Sequence, residues 1–85
     1  MLGGLSTRQN AIIIGKRLKT KREEKGISKE EVAKLLGLSS CLIIESWEDG
    51  ETSPPDISYL NSLAKFYGVD VDYFIKGVKK YESDA

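Results

Sequence analysis

Histidine is absent from this 85-residue chain, and cysteine occurs once, at Cys41. Without histidine there is no imidazole base or metal ligand, and one cysteine excludes both an internal disulfide framework and a multi-cysteine zinc site. No apolar run approaches the roughly 20 residues that span a bilayer, and Met1 to Asn10 lacks the basic start and long apolar stretch of a signal peptide. The expectation is a reduced, cytoplasmic chain with no membrane partner, no cofactor and no metal. It is not expected to be an enzyme, because Cys41 has no evident base nearby in sequence and no phosphate-binding glycine loop appears.

Net charge is missing too: 13 Lys and Arg balance 13 Asp and Glu. The balance conceals a strong polarity. Met1 to Leu38 holds nine basic residues against four Glu, a surplus of five, and Ser39 onward holds four Lys against nine acids, a deficit of five. A neutral chain arranged this way can still offer a basic face to phosphates, because local potential governs the encounter.

What is present is punctuation. Asn10 to Lys25 carries apolar residues at Ile14, Leu18 and, less clearly, Ile13, and Gly26 follows as a stop, so a first helix is predicted there. Ser28-Lys29-Glu30-Glu31 has the spacing of a capping box and starts a second helix, which presents Val32, Ala33 and Leu36 before Gly37. Ser39 or Ser40 caps a third helix, ended by Asp49-Gly50. After the stiff Pro54-Pro55 connection, Asp56 caps a fourth with Ile57, Leu60, Leu63, Ala64 and Tyr67 on its inner face. Asp70 caps a short fifth helix with Val71, Phe74 and Ile75, closed by Gly77. The organisation is a tail over residues 1–9, one domain over 10–77, and a polar tail over 78–85.

The second helix, a glycine-containing turn and the third helix have the spacing of a helix-turn-helix, with the small Ala33 where the two axes cross. The runs IGKRLKTKREEKGISKEEVAKLLGLS, SWEDGETSP and LNSLAKFYGVDVDYFIKG, together spanning most of Ile14 to Gly77, resemble the Cro and phage-repressor family of helix-turn-helix domains, also called the Xre family. The anchors fall in order: the basic first helix, Val32-Ala33, Leu36-Gly37, Trp47-Glu48 with Gly50, Pro54, Leu63-Ala64 and Gly68-Val69. The resemblance implies an all-α, compact five-helix, lambda-repressor-like domain that acts as a homodimer on a two-fold operator in double-stranded DNA, with the third helix in the major groove. It also implies a buried ion pair between Arg22 and Glu48. Lys29 stands where the family often has glutamine; the lysine keeps a phosphate contact available but loses the amide's ability to brace a base-reading side chain.

One departure bears on the site. The family usually has one residue fewer between the turn glycine and the Trp-Glu pair than this chain has between Gly37 and Trp47. With a turn of ordinary length, Ser39 caps, Ile43 enters the core, and Ser40, Cys41, Leu42 and Glu45 face the groove. With a longer turn, Ser40 caps, Ile44 enters the core, and Cys41, Leu42, Ile43 and Ser46 look outward. The second frame is preferred, because a loop absorbs an insertion more easily than a helix does.

The base-facing candidates are therefore Ser40, Cys41, Leu42, Ile43, Glu45 and Ser46, a set without the Arg, Asn or Gln that make bidentate base contacts. Leu42 with Ile43 or Cys41 suits thymine methyl groups, and Glu45 suits a cytosine amino group. Lys16, Arg17, Lys29, Ser39, Thr52 and Ser53 are the phosphate candidates. Two functions follow: a sequence-specific transcriptional regulator, of repressor type, or a degenerate helix-turn-helix domain whose apolar third helix binds another protein.

Overall fold

The structure is a computed structural model that describes residues 8–78. Five helices follow one another: α1 (Arg8–Glu24), α2 (Lys29–Leu35), α3 (Leu42–Asp49), α4 (Ile57–Tyr67) and α5 (Asp72–Ile75). No strand occurs among the described residues. Over these residues the chain is an all-α, lambda-repressor-like domain. The outer parts of the two tails, residues 1–7 and 79–85, lie outside the described residues. Within them α1 begins at Arg8, two residues before the expected domain boundary, and Val78 is buried one residue beyond the other boundary.

The two longest helices each bury a stripe set by the 3.6-residue period. On α1 the stripe is Ala11, Ile14, Gly15, Leu18 and Arg22, a run of steps of three and four. Leu60, Leu63, Ala64 and Tyr67 form the corresponding stripe on α4, and Phe74 is the buried side chain of α5. Ile57, expected on the inner face of α4, is half-exposed at 51%; it occupies the first turn, where the helix has only begun to lie on the core. The core joins these to Val32 and Ala33 of α2 and to Ile44 and Trp47 of α3. Full burial of each large apolar side chain stabilises the fold by about 1.5–3 kcal/mol.

Caps decide where the helices stop. At the end of α2 the Leu38 amide donates to the Ala33 carbonyl at 2.9 Å and the Gly37 amide to Lys34 at 3.1 Å, the two-bond Schellman closure that satisfies carbonyls left over by the helix. The same closure ends α1, α3 and α4. The capping box opens α2 in full: the Glu31 amide donates to Ser28 Oγ and the Ser28 amide to Glu31 Oε1, each at 3.0 Å. Asp70 Oδ1 accepts from the Asp72 amide at 3.1 Å ahead of α5. Asp56 sits at the cap position of α4, but its side chain makes no capping bond.

Two glycines let α1 and α3 meet closely. A Cβ on Gly15 would run into the backbone carbonyl of Trp47 and come within 2.9 Å of that of Glu48. Gly50, in the left-handed conformation at φ 71°, ends α3 directly against Ile12, whose Cα would lie 3.0 Å from a Cβ there. Only glycine meets both conditions at Gly50, the positive φ and the absent side chain.

Arg22 and Glu48 fasten the same two helices. Arg22 Nε donates to Glu48 Oε2 at 2.7 Å and Nη2 to Oε1 at 3.0 Å, while Nη1 reaches the Ile27 carbonyl at 2.9 Å. Their side chains are only 10% and 3% exposed. This bidentate geometry matches the planar guanidinium to the carboxylate, and the hydrogen bond to Glu48 is the main reason the Arg22 pKa is raised. Tyr67 lies in the same interior; burial first, then the charge of Glu48, pushes its hydroxyl up to about 12.

Candidate nucleic-acid interface

The extra residue before Trp47 is taken up in the turn. Ile44 is 2% exposed and Ile43 is 39% exposed, so Ile44 is the isoleucine that enters the core. It lies among Leu18, Val32, Trp47, Leu63 and Tyr67 around one small internal space. Ile43 and Ile44 lie four and three residues before Trp47, both within one turn of it, but they are turned about 100° apart, and it is Ile44 that points inward.

This register defines the outer face of α3. Leu42 is 66% exposed. Ile43 stands beside it, with Glu45 and Ser46 half-buried along the same helix. The Leu42 amide donates to Ser40 Oγ at 3.1 Å, so the Ser40 hydroxyl occupies one of the unpaired amides at the start of α3. Cys41 tucks toward α2, its Sγ 3.5 Å from Glu30 Oε2. Desolvation first, then the hydrogen bond to Glu30, pushes the Cys41 thiol up, which keeps it protonated and a weak nucleophile at neutral pH. Lys29, the first residue of α2, places Nζ 3.7 Å from Glu45 Oε1.

A profile of the helix-turn-helix domain family matches residues 15–80, most of the chain. The chain belongs to the helix-turn-helix family of the Cro and Xre type. A search of curated protein sequences returns no match at the significance required. Among solved structures, the P22 c2 repressor in complex with a synthetic operator is 31% identical, with a TM-score of 0.67 over 76% of this chain and 96% of that one. SinR, a master regulator for biofilm formation solved in complex with DNA, is 33% identical, with a TM-score of 0.60 over 68% and 90%. The restriction-modification controller protein C.AhdI from Aeromonas hydrophila, at 24% identity and a TM-score of 0.68 over 78% and 97%, shares the fold.

In this helix-turn-helix domain the candidate residues do not form one continuous patch. Lys29, Ser40, Cys41, Leu42 and Glu45 come together where α2 meets the start of α3. Ser39 is exposed in the turn just before them. Thr52 and Ser53 lie past the other end of α3, where they line a shallow depression with Arg8, Ala11, Gly50 and Glu51. Lys16 is exposed on α1. Arg17 is engaged elsewhere: Nη1 donates to the carbonyls of Phe74 at 3.2 Å and Lys76 at 2.6 Å, so it caps the C-terminal end of α5. That role follows from its position on α1, which turns it toward α5 and onto unpaired carbonyls. Lys21 lies beside it, with Nζ 4.9 Å from the Tyr73 ring centre.

Sequence reasoning missed Gly15, although Ala11 and Gly15 are small residues one turn apart on the buried stripe and mark a close crossing. Lys29 was expected to keep a phosphate contact while losing the amide's ability to brace a base-reading side chain; its ammonium lies 3.7 Å from the Glu45 carboxylate of α3. No sequence signal tied Arg17 to α5, since the two are more than 50 residues apart.

No helix among the described residues is long and apolar enough to cross a membrane.

Proposed function

We propose that this domain is a sequence-specific DNA-binding transcriptional regulator that acts as a homodimer on a two-fold operator and represses by occupying it. The observation that carries the reading is the outer face of α3: an exposed helix surface held rigidly by Ile44, Trp47 and the Arg22–Glu48 pair, in a fold whose relatives at 31% and 33% identity were solved on operator and DNA. Rigid presentation matters because base contacts discriminate only when side chains are held in register with the base edges. Leu42 and Ile43 offer apolar contact to thymine methyl groups. Lys16, Ser39, Thr52 and Ser53 supply the phosphate contacts; of the other candidates, Arg17 is held by the end of α5 and Lys29 lies beside Glu45.

Titration with random-sequence duplex at several salt concentrations tests the reading. A domain neutralising several phosphates loses affinity steeply, with a log-log slope of about −0.9 per phosphate. The absence of any binding at low salt would refute it.

A second reading is favoured by the 66% exposure of Leu42 beside Ile43: α3 would then dock on another protein through its apolar turn. The Leu42→Ser variant separates the two. On the DNA reading it changes base preference and leaves duplex binding at low salt; on the protein reading it has no effect on any duplex and abolishes the partner.

A further inference from the structure

We infer that Lys29 and Glu45 act as one base-reading unit, in which Glu45 accepts a hydrogen bond from the amino group of a cytosine in the major groove and Lys29 positions that carboxylate and offsets its charge. The inference rests on the DNA-binding reading and extends it to the base that is read.

The geometry supplies the argument. Lys29 is the first residue of α2 and Glu45 lies in the middle of α3, so a pair between them spans the turn. Their separation is 3.7 Å, and the side chains are 34% and 46% exposed; Glu45 lies three residues after Leu42, one turn along the same side of α3 and at the edge of its outer face. A carboxylate facing a groove walled by phosphates is repelled unless a cation accompanies it. Lys29 is such a cation, and it is fixed on a neighbouring helix by the capping box at Ser28 and Glu31.

The chemistry then selects the base. An ionised carboxylate accepts hydrogen bonds and donates none. Of the major-groove edges, guanine N7 and O6 and thymine O4 are acceptors and turn it away, whereas cytosine N4 donates without an adjacent acceptor on the same base. Adenine offers N6 beside the N7 acceptor, a poorer match to a carboxylate and a better one to an amide. Leu42, one turn before Glu45 on the same helix, places apolar surface beside this contact. The expected half-site therefore has a cytosine at one position and a thymine close to it.

The test is selection of bound duplexes from a random pool by the full chain, repeated with Glu45→Gln, Lys29→Met and Lys29→Arg. The parent is expected to enrich cytosine at one position of each half-site by about tenfold over guanine or thymine, within the range for a specific base contact. Glu45→Gln moves the preference at that position to adenine. Lys29→Met flattens the preference there and leaves the other positions unchanged, and Lys29→Arg restores it. If Lys29→Met instead weakens binding equally for every sequence and lowers the salt slope by about one, Lys29 is a phosphate contact only and the inference is overturned. It is equally overturned if Glu45→Gln leaves the selected sequence unaltered. Failure of the parent to bind any duplex at low salt overturns the DNA-binding reading itself, a result distinct from either of these. Melting curves of the variants confirm that each is folded, as expected for side chains this exposed.

Discussion

Removing Arg22 is expected to be the most damaging polar substitution in the domain. Arg22→Ala strands the Glu48 carboxylate, whose side chain is 3% exposed and whose two oxygens both accept from the guanidinium. Breaking one side of a buried pair costs about 3–5 kcal/mol, because the remaining charge has neither water nor partner. A chain of 85 residues holds only about 4–13 kcal/mol in all, at about 0.05–0.15 kcal/mol per residue. The loss is thus a large share of the total, and at about 4–8 °C per kcal/mol it lowers the melting temperature by at least about 12 °C. Urea titration followed by fluorescence suits the measurement, since Trp47 is the only tryptophan, adjoins Glu48 and packs 5.4 Å from the Tyr59 ring. Glu48→Ala is expected to cost less, because Arg22 keeps its bond to the Ile27 carbonyl. Replacing both, as Arg22→Met with Glu48→Leu, removes the buried charges together and is expected to cost less than Arg22→Ala alone. An Arg22→Ala protein that melts within a few degrees of the parent, or a double variant whose loss equals the sum of the two, would refute the reasoning.

Gly15→Ala is expected to destabilise by about 1–3 kcal/mol or more, because the added Cβ meets backbone carbonyls of Trp47 and Glu48 that no rotamer change can move; an unchanged urea midpoint would mean that α1 and α3 do not cross there. Ile44→Ala should cost about 2–5 kcal/mol and Ile43→Ala well under half of that, given their 2% and 39% exposures; the reverse order would place the turn one residue shorter. Tyr67 ionises near 10 when unfolded and near 12 when folded, so the folded state holds the proton longer. Its contribution to stability is therefore complete below pH 10 and is lost as pH rises toward 12. Comparing urea midpoints of the parent and Tyr67→Phe across that range isolates the effect from the lysines, and equal alkaline losses in the two would contradict it.

Much of this architecture is written locally. The capping box at Ser28 and Glu31, the glycines after α1, α2, α3 and α4, and the stripe Leu60, Leu63, Ala64 and Tyr67 act within a few residues of chain, so their positions alone mark where helices begin, end and face. Ile57 was misplaced for the same reason, since its spacing fits the stripe and only the packing leaves that first turn off the core. The candidate interface was less legible. Its residue types were visible, but Arg17 was assigned by its charge, while its actual partners are carbonyls of Phe74 and Lys76. Glu45 and Lys29 could be seen separately and not as a pair, because the turn that brings α2 and α3 together is where the chain departs from its family.

The sequence by itself determined the number of helices, the capping box that opens α2 and the glycine stops that end α1 to α4, since each rests on local hydrogen bonding and on the 3.6-residue period. Tertiary structure decided which isoleucine of Leu42-Ile43-Ile44 is buried. Three adjacent aliphatic residues carry no periodicity, and Ile43 and Ile44 both lie within one turn of Trp47; the choice falls to Ile44 because the packed orientation of α3 sets it among Leu18, Val32 and Leu63. That one residue of register fixes which side chains of α3 are left on its outer face.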